Sequence, residues 1–124
     1  MSVYEAYYRV FQTSWGILIG FRGEFLEMPD SSLLSNATQI NATLFFSWDI
    51  PEENLLLYKN KLLIENGIRW IANEIPSDKT LLINLKSLDV NFCNFQIEGL
   101  FFGIAYWICS YYNVQVPLHE VKYD

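Results

Sequence analysis

QIEGLFFGIAYWICSYY, Gln96 to Tyr112, is the stretch on which the architecture turns. Leu100, Ile104, Trp107, Ile108 and Tyr111 recur at helical spacing and share one side. No formal charge occurs from Gly99 to His119, so a membrane span is the competing reading. The densely apolar part, Leu100 to Tyr112, covers roughly 20 Å as a helix, against about 30 Å of hydrocarbon. Asn113, Gln115 and Pro117 then interrupt it. A buried helix is therefore predicted, with Glu98 near the positive end of its dipole and Asn113 as its C-terminal cap. Gly99 and Gly103 form a small-xxx-small pair, read as the place where this helix lies close on a sheet rather than as a membrane contact.

Upstream, Thr80 to Leu85 (TLLINL) reads as a buried strand from its run of branched residues. Ile64, Ile68, Ile71 and Ile75 recur at spacings of four, three and four, which is one helical face. Asn66-Gly67 dissents, being a favoured hairpin turn. Period-two alternation fails in Leu62-Leu63-Ile64, so the helix is preferred, ended by Pro76-Ser77-Asp78. Asp49-Ile50-Pro51-Glu52-Glu53 looks like the start of that helix, with acids near its positive end. Ala42 to Trp48 reads as a strand. Met28 to Ser35 (MPDSSLLS) is the best loop, and Gly23 opens the polar excursion leading into it. Trp15 to Phe21 and, with more ambiguity, Val3 to Phe11 read as a strand pair turning at Thr13-Ser14. Val114 to Val116, or Glu120 to Tyr123, can add a last strand. The expected fold is α+β, one domain over 1–124: a single mixed or mainly antiparallel sheet of four to five strands, with two helices packed mainly on one face.

Composition narrows the function classes. Four Trp, eight Tyr and nine Phe stand against one His and two Cys, and the formal charge is −6. Most hydrolytic, metal-dependent and redox sites gather His, Cys or carboxylate groups, and the sequence holds no such cluster. Neither a cofactor nor a metal site is expected. The cations Arg9, Arg22, Lys59, Lys61, Arg69, Lys79, Lys86 and Lys122 are scattered, which argues against direct binding of nucleic acid or an anionic membrane. Cys93 and Cys109 do not make a disulfide framework in a chain of this size, and Cys109 reads as a buried apolar residue. Glu5 and Arg9 follow Met1 without a positive leader or small-residue cleavage site, so a cytoplasmic location is expected.

Catalytic candidates fare poorly in detail. His119 is the one imidazole, and neighbouring Glu120 would point to the opposite face of a strand. Ser14, Ser47, Ser87 and Ser110 lack a nucleophile-elbow context, and Cys93 has no neighbouring cation to activate it. Binding candidates fare better. Trp48 followed by Asp49, Glu52 and Glu53 offers an aromatic anchor among acids, and Glu24, Glu27 and Asp30 supply a second acidic stretch. The bland alternative is a helix start bearing solvated acids.

The stretch Asn91-Phe92-Cys93-Asn94-Phe95-Gln96-Ile97-Glu98-Gly99-Leu100-Phe101-Phe102, with Trp107 beyond it and the strand Thr80 to Leu85 before it, resembles a C-terminal pattern of small bacterial immunity proteins. Those proteins belong to toxin exchange systems that include contact-dependent growth inhibition. The resemblance implies a non-enzymatic protein that binds one cognate toxin domain in the producing cell and blocks it. Many such toxins are nucleases with basic grooves, which an acidic partner can fill. It carries over no interface residues. Two other readings stay open: a ligand-binding or enzymatic α+β domain with an aromatic pocket, and a self-associating subunit or homodimer signalled by exposed Phe or Tyr.

Overall fold

Two strands lead the chain, the first alternating between exposed and half-buried and the second mostly buried in its first half, and a nearly all-apolar helix follows the last strand. The computed structural model describes residues 3–11, 16–90 and 95–117, with the backbone alone at Phe11. In order come β1 (Tyr4–Phe11), β2 (Gly16–Glu27), α1 (Ser31–Leu34), β3 (Thr38–Gln39), β4 (Leu44–Trp48), α2 (Leu55–Tyr58), α3 (Lys61–Ile71), a 3-10 turn (Ala72–Glu74), β5 (Leu81–Val90) and α4 (Gly99–Tyr112). The sheet order is β1-β2-β5-β4-β3. β1–β2, β2–β5 and β3–β4 pair antiparallel, whereas β4 and β5 run parallel. A parallel pair needs a long crossover, and α2 and α3 provide it. The fold is thus α+β around one mixed sheet, as the sequence leads one to expect.

Alternation sorts the sheet into two faces. Ile17, Ile19, Phe21, Phe46, Ile83 and Leu85 join Ile64, Ile68 and Ile71 of α3 and Leu100, Ile104, Trp107 and Ile108 of α4 in one buried cluster. The alternate residues Glu5, Tyr7, Arg9, Arg22, Ser87 and Asp89 are exposed, so that face of β1, β2 and β5 meets solvent. Burying large branched and aromatic side chains contributes about 1.5–3 kcal/mol each, and this cluster is the main term holding the sheet to its helices.

Glycines set how closely the layers approach. A Cβ at Gly99 would lie 3.0 Å from both Ile17 and Ile19, and one at Gly103 would lie 2.6 Å from the Phe21 ring. α4 therefore lies down on β2 where its side chains are missing, as read from the sequence. Gly67 does the same between helices: a Cβ there would collide with the Phe101 carbonyl oxygen and lie 2.6 Å from Ile104 Cγ2. The hairpin signal of Asn66-Gly67 thus yields to helix packing. Gly67→Ala should cost about 1–2 kcal/mol net, the collision outweighing roughly 1 kcal/mol of added helix propensity. Thermal unfolding checks this; an unchanged or raised Tm would mean that α3 moves aside freely.

Several boundaries differ from expectation for identifiable reasons. β2 continues past Phe21 to Glu27, because Gly23 fits beneath Trp107 and its register with β5 slips past Lys86 in a bulge. β5 extends from Leu85 to Val90. Within Met28–Ser35, Ser31–Leu34 forms a single helical turn. The acids of Asp49–Glu53 do not begin a helix: Asp49 N–H donates to the Leu85 carbonyl and prolongs strand pairing. Helix α2 starts only after Asn54, whose Oδ1 accepts from Leu57 N–H at 3.4 Å. Ile75 is extended, beyond α3. The last helix begins at Gly99, with Glu98 at its cap, and ends on Asn113 in the left-handed conformation at φ 55°. Val114–Val116 is not a strand. Trp15, Thr13-Ser14 and Glu120 to Tyr123 lie outside the described residues.

Candidate partner-binding surface

The run Leu55-Leu56-Leu57-Tyr58-Lys59-Asn60-Lys61-Leu62-Leu63-Ile64 carries more large apolar residues than one helical face can bury. Leu57 and Ile64 take the core. Leu55, Tyr58 and Leu62, spaced three and four apart, are left 72%, 42% and 62% exposed. The break between α2 and α3 is slight, since Asn60 N–H donates to Leu57 and Leu63 N–H to Asn60. Alternation along β4 turns Trp48 toward this helical corner. Its ring lies 5.9 Å from Tyr58 and 6.5 Å from Phe46, and Lys61 Nζ sits 5.5 Å from its centroid. The preceding turn, closed by Asn54 N–H donating to the Pro51 carbonyl, leaves Glu52 and Glu53 exposed. No ion pair among the described residues engages either carboxylate. An apolar centre bordered by free acids is the result.

The remaining predicted acids divide. Glu24 and Asp49 meet at Lys86, 2.9 and 3.5 Å from its ammonium. The hydrogen bond to Glu24 foremost, opposed by desolvation and aided by Asp49, holds the Lys86 pKa above its usual value. These two acids are internally neutralised in part and are less available than Glu52 and Glu53. Glu27, 3.6 Å from Lys79, pairs in register with Leu81, whereas Trp48 pairs with Leu85. Four residues of strand separate the two places, roughly 13 Å. Asp30 follows Glu27 before α1, at that far end. Thus Trp48, Asp49, Glu52 and Glu53 are neighbours in the chain, Glu24 reaches Asp49 through Lys86 from the sheet face opposite Trp48, and Glu27 with Asp30 forms a separate group. The sequence does not single out Leu55, Tyr58 and Leu62 as candidates, although the excess of leucine after Asn54 points to exposed ones.

Groups with reactive side chains have structural surroundings. Burial, with a smaller contribution from Glu74, pushes the Cys109 thiol up to about 11. Burial likewise leads the rise of the Tyr112 hydroxyl to about 12. Ser47 accepts from Asn84 Nδ2 at 2.8 Å, and Ser110 shares a short hydrogen bond with the Tyr4 hydroxyl. Tyr4, Phe25, Trp107 and Tyr111 pack ring on ring, with Phe25 and Tyr111 stacked 3.9 Å apart. Asn41, Thr43, Ile75 and Lys79 line a half-open cleft of about 30 Å³, far smaller than the pockets that hold small-molecule ligands. Cys93, His119, Glu120 and Ser14 lie outside the described residues. Among the described residues, no three His, Cys, Asp or Glu side chains gather as metal ligands would. Among them, too, no helix is long and apolar enough to cross a membrane. Set against known protein families, characterised proteins and solved structures, the chain matches none of them.

Proposed function

We propose that this chain is an immunity protein that binds and blocks a cognate bacterial toxin domain, a nuclease with a basic surface, in the cytosol of the producing cell, without chemistry of its own. The observation that carries the reading is the corner of β4, α2 and α3, where Leu55, Tyr58 and Leu62 are exposed, the Tyr58 ring lies 5.9 Å from Trp48, and the exposed Glu52 and Glu53 directly precede α2. Large exposed apolar side chains beside polar ones are typical of surfaces that dock on another protein. The net charge of −6 adds long-range attraction to a basic partner and repulsion of its nucleic-acid substrate.

Co-expression tests the proposal. A toxin domain encoded immediately upstream should kill cells that lack this chain and spare cells that make it. Survival without it refutes the assignment, and so does death despite its abundant expression in folded form.

A further inference from the structure

The corner contains a cation already seated, and its fit is incomplete. Lys61 Nζ lies over the Trp48 ring and 3.9 Å from Glu65 Oε2. The Glu65 side chain is only 11% exposed, whereas the Lys61 side chain is 35% exposed and can swing into water. The Tyr58 ring, 5.9 Å from Trp48 and inclined by 33°, borders the same place. A charge-assisted N–H to carboxylate bond closes to about 2.8 Å. At 3.9 Å the ammonium neutralises Glu65 at a distance without bonding to it directly.

A guanidinium suits these surroundings better than an ammonium. It is planar, stacks on an indole face, is more weakly hydrated, and presents paired N–H groups to a carboxylate. We propose that Trp48 and Glu65, bordered by Tyr58, form a receptor for an arginine side chain of the partner, which Lys61 occupies in the free protein. This rests on the reading of the corner as an interface, and it names the group recognised there. Binding swings Lys61 out to solvent, stacks the arginine on Trp48 and pairs it with Glu65, while Glu52 and Glu53 attract the surrounding cations. The partner is a protein with a surface arginine in reach of Leu62, which suits a surface built to hold a phosphodiester backbone.

The test uses the whole chain and two small probes, arginine methylamide and lysine methylamide, titrated while nuclear magnetic resonance follows the Trp48 indole N–H. Lys61→Ala empties the receptor, and Lys59→Ala makes the same charge change at a neighbouring exposed lysine. The arginine probe should bind Lys61→Ala about tenfold tighter than wild type, with less than a twofold change for Lys59→Ala. Adding Glu65→Gln to Lys61→Ala should abolish the gain; adding Trp48→Tyr, which keeps a ring but removes the indole and is therefore followed at the Glu65 backbone amide, should retain part of it. Equal gains in the two lysine variants, or equal binding of the two probes, would overturn the proposal. A toxin that binds wild type and Lys61→Ala identically would also overturn the receptor and leave the immunity function standing. Saturable arginine binding in Lys61→Ala, with no toxin bound by wild type, would support the receptor and remove the function.

Discussion

Trp107→Ala is expected to lower folding stability by about 4 kcal/mol, within the range for emptying a buried aromatic site. The indole has no solvent exposure, and its Nε1–H donates to the Tyr4 carbonyl at 3.2 Å. It lies against Phe25, with ring centroids 4.7 Å apart, and stacks with Phe21 and Tyr4, each at 6.4 Å. Gly23 leaves the space it fills, a Cβ there coming within 3.0 Å of its ring. Truncation would open a void where β1, β2 and α4 meet and leave a carbonyl without its donor. Domains of this size are stable by about 5–15 kcal/mol, so the loss is a large fraction of the total. Denaturant unfolding should show a lower midpoint at unchanged slope. Trp107→Phe, which keeps a ring but not the donor, should fall between. A loss below about 1 kcal/mol would mean that another contact fixes α4 to the sheet.

The second large effect belongs to the exposed corner. Leu62→Asp should weaken toxin binding about thirtyfold or more, as expected for an interface hot spot losing at least about 2 kcal/mol. Folding should barely change, because the side chain already faces water. Glu52→Lys with Glu53→Lys should act differently, slowing association about tenfold at low salt while the difference shrinks as salt rises. Asp49 is a poorer choice for charge reversal, since it also contacts Lys86. Surface plasmon resonance over a salt series separates the two effects. If Leu62→Asp binds as wild type does, the corner is not the interface. If the double charge reversal leaves the association rate and its salt dependence unchanged, the acids do not steer.

The elements legible in the sequence were those whose period and packing agree. Aromatic and β-branched content in Val3 to Phe11 and the continuous branched run Thr80 to Leu85 marked strands, and the apolar side of Gln96 to Tyr112 marked the helix that Asn113 terminates. Gly99 and Gly103 were legible as sites of close approach because a helix lying on a sheet needs room. Other features depended on partners distant in sequence. Gly23 read as the opening of a polar excursion out of the strand, yet it is a strand residue whose missing side chain admits Trp107. Pro51 with flanking acids looked like a first helical turn, yet Asp49 pairs with Leu85 as a continuation of the strand, and Pro51 to Asn54 form a separate turn before the helix.

The same distinction explains the candidate surface. Trp48 and its neighbouring acids stood out locally, whereas the role of Lys86 in drawing Glu24 and Asp49 together is set by the β2–β5–β4 strand order. Leu55 and Leu62 could not be separated from core leucines by type, because only the placement of Leu57 and Ile64 in the core shows which residues remain outside.

Amide hydrogen exchange on the complex with the toxin domain probes the central claim most directly. Binding is expected to protect the segment from Trp48 to Glu65 and to leave the solvent-facing residues of β1 and β5 at their free rates. Protection centred on Glu5, Tyr7 and Asp89 instead, or none anywhere at saturating toxin, would contradict it.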